Sequence, residues 1–408
     1  MRLLFLGLNY SPELTGIGKY SGEMMEWFAA RGHEVRVVTT PPYYPAWRVS
    51  EGYSWWRYSR ERSQAGAEIY RCPLWVPEKP SGLTRVLHLS SFAASSLPVM
   101  LGLASWRPDV VLTVEPAFTC APVALLAGVL AGAPVWLHVQ DFEVDAAFDL
   151  GLLPAGGMIQ QFALWCERLA MQCFSRVSTI SPRMVERLLQ KGIDTSRAVH
   201  FPNWVDVEAI YPMSEPSPLR RELGIRRDEV VLLYSGNMGA KQGLEALPEL
   251  AKRMREQKHL RFVFCGDGAY RPQLEQAVAA FENVSFLPLQ PVERLNELLN
   301  AADIHLLPQR AGAADLVMPS KLTGMLASGR PVIATAAEGT QIARAIEGCG
   351  IVVAPGNAEA FAQAAEMLGG NGELRRRMGY AARVYAEREL ARDAILQRFE
   401  AMIESIAS

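Results

Sequence analysis

The chain is poor in cysteine: six in 408 residues, Cys72, Cys120, Cys166, Cys173, Cys265 and Cys349. None has a partner at the two-residue spacing of zinc sites and redox pairs, so all six read as reduced core residues. A disulfide scaffold is excluded, and a cytoplasmic location is expected. Charge imbalance is lacking too: 41 lysines and arginines stand against 43 acids, a net charge of -2. Such a chain has no overall field for collecting nucleic acid, so any phosphate site must be local. Long apolar runs are scarce. The one that opens the chain gives way to polar Asn9 and Ser11, too soon for a signal segment, and is expected to be a buried strand. Residues 86–105 are long enough to cross a bilayer, but His88, five serines and Pro98 make them a poor spanning helix. No repeat at a solenoid period and no low-complexity tract is present.

What the chain does have is alternation. Short β-branched runs at residues 2–8, 35–39, 110–114, 135–139 and 177–180 are separated by helix-forming stretches at 18–31, 83–104, 121–131 and 158–174. Strands that alternate with helices imply an α/β fold, a parallel sheet covered on both faces. A proline-rich break, Tyr211-Pro212-Met213-Ser214-Glu215-Pro216-Ser217-Pro218, stops both kinds of element. The pattern then restarts with runs at 230–234, 260–265, 284–286, 304–307, 331–334 and 351–353. The expected organisation is therefore two Rossmann-like, doubly wound domains, 1–210 and 211–388, with a closing helix at 389–408. Ligands of such sheets bind outside the carboxyl ends of the strands, which puts the expected site in a cleft between the halves.

The first βα connection, Asn9-Tyr10-Ser11-Pro12-Glu13-Leu14-Thr15-Gly16-Ile17-Gly18-Lys19-Tyr20, leads into a helix. Gly16, Ile17 and Gly18 would let backbone approach an anion at the helix start, although the two glycines could equally shape a turn. The spacing is not the dinucleotide fingerprint, because Ser21 stands where its third glycine would fall. The second domain opens more distinctly, with Ser235-Gly236-Asn237-Met238-Gly239-Ala240-Lys241-Gln242-Gly243 after a buried strand. Backbone N–H groups and the Lys241 ammonium would converge there on one anionic group, which suits a diphosphate. Further on, Gly266-Asp267-Gly268 could fold beside a nucleotide or be a plain turn, and the backbone near Leu289 could read a base edge. In the segment from Asp315 to Leu322, Ser320 is expected to cap a helix and Lys321 to face the cleft.

In the first domain, His138 ends a strand and Asp141, Glu143 and Asp145 follow it closely. A histidine there can be a satisfied core residue, but its place at the expected rim makes His138 and Asp141 catalytic candidates. The segment 41–58 is crowded with aromatics (Tyr43, Tyr44, Trp47, Tyr53, Trp55, Trp56 and Tyr58) and interleaved with Arg48 and Arg57. That composition fits a membrane interface or a sugar platform, and equally a packed cluster under a long loop.

Taken together, these motifs, with Thr40-Pro41-Pro42-Tyr43-Tyr44-Pro45, Phe201-Pro202-Asn203-Trp204 and Pro319-Ser320-Lys321-Leu322, make the chain resemble family 4 glycosyltransferases of the GT-B fold. Within that family it resembles the colanic acid biosynthesis fucosyltransferases and related bacterial exopolysaccharide enzymes. The resemblance runs nearly end to end. It implies a nucleotide-diphosphate sugar donor, for which it suggests GDP-fucose, no metal or other cofactor, and retention of configuration. It also implies a polyprenyl-diphosphate-linked glycan as acceptor, met by the first domain at the inner-membrane surface. In the family, the loop matching Gly16 to Gly18 and the lysine matching Lys241 hold the diphosphate, and the histidine matching His138 meets the donor sugar. Two departures stand out. Asn237 replaces a frequent arginine, and Leu316 and Gly324 stand where two glutamates are usual, leaving Asp315 as a substitute for the first. Two rival readings share the phosphate loops: a nucleotide-sugar epimerase or hydrolase of the same architecture, and a non-catalytic nucleotide-sugar-binding subunit.

Overall fold

The computed structural model describes residues 1–13, 16–78, 82–115, 118–142, 157–239, 242–310 and 319–407. Within them, a first sheet contains β1 (Arg2–Leu6), β2 (Glu34–Thr39), β3 (Ser59–Arg62), β4 (Glu68–Arg71), β5 (Val110–Glu115), β6 (Val135–Val139), β7 (Arg176–Thr179) and β8 (Ala198–His200), in the order β3-β4-β2-β1-β5-β6-β7-β8. Leu3, Leu4, Phe5 and Leu6 are all buried, as they must be in a strand covered on both faces. Every pairing is parallel except β3 with β4, an antiparallel edge in which Ser59 faces Arg71 and Arg62 faces Glu68. The sequence pattern misses this edge because its strands are short and charged rather than β-branched. Charged edges discourage pairing with another chain.

The second sheet contains β9 (Val230–Ser235), β10 (Leu260–Cys265), β11 (Val284–Leu287), β12 (Ile304–Leu307), β13 (Val332–Thr335) and β14 (Gly350–Val353), all parallel, in the order β11-β10-β9-β12-β13-β14. Its central strand shows why both faces are closed. Leu232 and Tyr234 pack with Leu247, Leu250, Phe262 and Phe264, whereas Val231 and Leu233 pack with Leu219 and Leu298. That alternation is the two-residue period of a strand with an apolar core on each side.

The chain forms two compact units, one of residues 1–202 with 396–408 and the other of residues 203–395. The division lies ahead of the proline-rich stretch from which the sequence suggests it. Residues just after Pro202 already belong to the second core: Val205 and Ile210 are buried there, and Val205 exchanges backbone hydrogen bonds with Leu390 and Arg392. The helix Arg392–Ala407 carries the chain back into the first unit. There Phe399 stacks on Phe201 with ring centroids 3.9 Å apart and meets Trp136 edge-on at 5.0 Å. Glu400, on the same turn, holds Arg31 at 2.9 Å and His33 at 2.7 Å. The helix thus backs β6, the strand that bears His138.

Removing this wedge should be costly. Phe399→Ala is expected to destabilise the first domain by about 3–5 kcal/mol in chemical denaturation, because it deletes a buried aromatic ring. Arg398→Ala, at an exposed neighbour, should stay within about 0.5 kcal/mol of the parent. Equal midpoints for the two variants would contradict this account of the helix.

Candidate functional site

In the second sheet the direction of winding reverses between β9 and β12, where ligands of doubly wound sheets bind. Glycines shape the strand ends around that point. Gly236 and Gly266 have φ of 132° and 140°, and a Cβ on Gly266 would lie 1.9 Å from the Gly236 carbonyl oxygen. A Cβ on Gly268 would come within 2.6 Å of the Met238 carbonyl. Gly243, with φ of 63°, abuts the backbone of Gln309 at 2.8 Å in the same sense. The loops after β9, β10 and β12 are therefore packed backbone to backbone, which side chains there would prevent. The two flanking β9–β10 links, Gly236 N–H to Cys265 O and Met238 N–H to Asp267 O, fix their register.

Lys321 enters this arrangement from the helix Ser320–Ala327. Its Nζ donates to Gln242 Oε1 at 3.1 Å and to Tyr234 OH at 3.3 Å, and it lies 4.4 Å from the centre of the Tyr234 ring. The Tyr234 hydroxyl in turn donates to the Asn237 carbonyl at 2.6 Å. Desolvation brings the Lys321 pKa down to about 7. Asn237, Asp267 and Leu289 are exposed at the ends of β9, β10 and β11, with Asp267 Oδ1 accepting from the Gly268 N–H at 2.7 Å. Ser320 does not cap its helix. Pro319 occupies the cap position with extended backbone, so Ser320 is already the first helical residue and its own side chain makes no cap. Lys241 and Asp315 lie outside the described residues, as do Glu143 and Asp145.

In the first domain the reversal falls between β1 and β5. The helix Gly16–Ala30 begins with Gly16 at φ 60°, and Gly18 leaves room for Glu13, whose Oε2 a Cβ there would meet at 2.7 Å. Glu13 is buried and organises two loops at once. Its Oε1 accepts the Tyr43 and Tyr44 N–H groups at 3.0 and 2.9 Å, and its Oε2 accepts from Asn9 Nδ2 at 2.8 Å. Burial raises its pKa against those hydrogen bonds. Arg71 completes the tie, donating to Ser11 O at 2.6 Å, Thr40 O at 2.9 Å and Glu61 Oε1. Neither residue is singled out by sequence reasoning. Glu13 stands inside a motif read for its glycines, and Arg71 lies on a strand the pattern does not show.

His138 is buried at the end of β6. Its Nδ1 meets Ser178 Oγ at 2.9 Å, the Gln140 amide donates to its Nε2 at 2.9 Å, and Phe201 packs on the ring. Ser178 Oγ also accepts from Trp136 Nε1 at 2.8 Å. Both ring nitrogens have neutral partners, and burial lowers the pKa from 6.5 to about 3. The ring is neutral and is no general base near neutrality. Asp141 is exposed just beyond it.

The aromatic segment after β2 divides in two. Tyr43 and Trp47 pack with His88, at centroid distances of 4.9 and 5.4 Å, while Trp55, Trp56 and Tyr58 are more than half exposed. His88 belongs to the helix Gly82–Ala104, which is long and apolar enough to cross a membrane by length and composition. Its polar groups are turned to the domain: His88 Nδ1 pairs with Trp75 O, and Ser95 Oγ donates to Pro73 O. Of the cysteines, Cys72, Cys120, Cys265 and Cys349 are buried, but Cys173 is exposed, since it follows the last turn of the helix Met158–Gln172 rather than facing the core.

The neutral state of His138 is directly measurable. Its ring should show no protonation between about pH 5 and pH 8 by NMR. Because the unfolded ring binds a proton that the folded one refuses, stability should fall as pH drops from 6.5 toward about 3. An imidazole titrating near its ordinary value would overturn the assignment.

Comparison with known proteins bears on the whole arrangement. Residues 15–204 match the glycosyl transferase 4-like domain, and residues 217–385 match glycosyl transferases group 1. The chain is 42% identical over 98% of both lengths to the colanic acid biosynthesis glycosyl transferase WcaI of Escherichia coli K12. In fold it is similar to sucrose-phosphate synthase of Thermosynechococcus elongatus, with a TM-score of 0.77 at 18% identity, covering 99% of this chain and 98% of the other. It is likewise similar to Anabaena HepE, solved with UDP-glucose, with a TM-score of 0.68 at 15% identity over 99% and 100% of the two chains. Two doubly wound domains, both family matches and the end-to-end identity agree: the chain belongs to the GT-B glycosyltransferases, with a family 4-like first domain and a group 1 second domain.

Proposed function

We propose that this glycosyltransferase moves a sugar from a nucleotide-diphosphate donor to a polyprenyl-diphosphate-linked glycan, in the synthesis of an exopolysaccharide of the colanic acid type. The observation that carries the donor reading is Lys321, a lysine held among neutral groups at the glycine-lined strand ends of the second domain. The identity to a colanic acid enzyme carries the rest. GDP-fucose is the donor the resemblance favours.

The roles follow from chemistry. As the bond between the anomeric carbon and the diphosphate breaks, the leaving group takes the electron pair, and an acceptor hydroxyl forms the new bond and gives up its proton. Charge grows on the diphosphate, so fixed cations and backbone donors near it lower the barrier. We assign that work to Lys241 and Lys321, with the backbone of Asn237 and Ser320 in the second domain and of Gly16, Ile17 and Gly18 in the first; Gly236 and Gly266, whose amides are bonded to Cys265 and Leu287, serve by letting backbone come close to the donor. Cations in this role make a metal unnecessary. Asp267 and Asp315 are assigned to the donor's hydroxyls, and the backbone at Leu289 to its base. His138, neutral and fixed through both nitrogens, positions the donor sugar, with Asp141 beside it. Configuration is retained.

The acceptor side is assigned to the first domain, peripheral to the inner membrane. Trp55, Trp56, Tyr58 and Trp75 are exposed beside Arg57. Hydrogen bonds tie them to one surface: Trp55 O accepts from Leu74, Tyr58 OH donates to Ser95 O, and Trp75 N–H donates to Ser91 Oγ. Leu83, Val86 and Leu87 are exposed on the same helix. Aromatics with interleaved arginine suit an anionic lipid interface. A hollow of about 490 Å³ lined by Tyr53, Arg57, Tyr58 and Arg60 adjoins them.

A panel of nucleotide sugars incubated with bacterial membrane lipid and EDTA tests the core of the reading. Label should pass to lipid from one donor, and His138→Ala should lower kcat more than it raises KM. Donor breakdown or isomerisation without lipid would favour an epimerase or hydrolase instead. The membrane assignment stands apart: the protein should co-sediment with anionic liposomes at low salt, and Trp55→Ser with Trp56→Ser should weaken that binding. Wild-type protein left in the supernatant would refute it.

A further inference from the structure

Lysine ammonium groups removed from water are ordinarily matched by a carboxylate. Lys321 is not. Among the described residues no carboxylate pairs with it, and its contacts are the Gln242 amide oxygen, the Tyr234 hydroxyl and the Tyr234 ring. Its stem passes 3.4 Å from where a Cβ on Gly236 would stand, so the side chain lies along the glycine turn itself. Among the described residues, the titratable and charged groups on the adjoining elements do not compensate it, Lys241 and Asp315 lying outside them. Tyr234 stays protonated, because burial raises its pKa further. Asp267, after β10, accepts from the Gly268 amide, and Glu245, beyond the β9 loop, is paired with Arg310 at 2.8 Å. Ser320 and Thr323 on its own helix are neutral, and Gln309 after β12 is an amide.

We propose that Lys321 is held as a neutral amine for the arriving anion, and that a nucleotide-diphosphate sugar binding beside it draws a proton onto its nitrogen, making donor binding proton-coupled. The inference rests on the reading that this domain holds such a donor. An ammonium without a counter-ion is costly away from water, and the equilibrium shifts toward the amine, in line with a pKa brought from 10.5 to about 7. A diphosphate diester has two negative charges and no ionisation near neutrality. Placed against the nitrogen, it stabilises the ammonium and raises the pKa again. The reaction is simple in its balance: amine, proton from solvent and dianionic donor become an ammonium–diphosphate pair.

Calorimetry with the full chain, GDP-fucose or UDP-glucose as the probe, and no acceptor decides the matter. At about pH 8, roughly one Lys321 in ten would be charged in the free protein. Binding should then take up close to one proton, read as a difference in heat between buffers of low and high ionisation enthalpy. The dissociation constant should rise about tenfold per pH unit above neutrality. Lys321→Met should bind more weakly with no proton uptake, and Lys321→Arg, charged throughout, should bind without uptake. Equal heats in the two buffers for wild-type protein would overturn the inference while leaving the donor reading intact, as would undiminished uptake in Lys321→Met. If neither nucleotide sugar bound, the donor reading would fail and the inference with it. The wild-type buffer comparison stands even if a variant does not fold.

Discussion

The carbonyl of Gly236 and the α-carbon of Gly266 approach so closely that one methyl group between them would come to 1.9 Å, and the strand ends of the second domain are organised by that contact. It lets the turns after β9 and β10 lie against each other, with Gly268 and Gly243 extending the same close packing to Met238 and to Gln309. Backbone stacked on backbone ties the turns to one another through their own amides, Gly236 and Met238 donating to Cys265 and Asp267 and Gly266 to Leu287, and leaves the side chains of Asn237, Asp267 and Leu289 exposed at the strand ends. Groups fixed in this way by the fold need no reorganisation when charge develops beside them. The glycines therefore act through geometry, and the charge has to come from elsewhere.

In the first domain the corresponding constraint is electrostatic. A buried carboxylate, Glu13, and a buried guanidinium, Arg71, hold the turns after β1 and β2 by their backbone groups. Each oxygen of Glu13 accepts a hydrogen bond, which offsets the cost of removing it from water. The loops so fixed are those that carry Gly16 to Gly18 on one side and the Tyr43 aromatic cluster on the other. The glycine loop and the aromatic one thus share a single support.

The sequence made the sheets legible because their strands are buried on both faces and so appear as unbroken aliphatic runs, as in β1, β5 and β9. It hid β3 and β4, whose Ser59-Arg60-Glu61-Arg62 and Glu68-Ile69-Tyr70-Arg71 satisfy an edge through charge pairs rather than through apolar area. The glycine turns were legible as punctuation, but not the reason for each one: a close backbone approach is a relation between two segments far apart in the chain. His138 was legible by position alone. Its neutral state depends on Ser178, Gln140 and Phe201, which come together only on folding.

Lys321 shows how one substitution pattern can be understood through its surroundings. The turn after β9 offers exposed Asn237 where related enzymes often have an arginine, and a cation at an exposed site would in any case be screened by water and salt. A lysine drawn against Tyr234 and Gln242 sits in a less polar setting, where the same unit charge would attract an anion more strongly. The setting that strengthens the charge also disfavours it when no anion is present, so strength and availability are coupled through the proton. A site built in this way would hold little uncompensated charge in the empty enzyme and most in the donor complex, where the leaving group needs it.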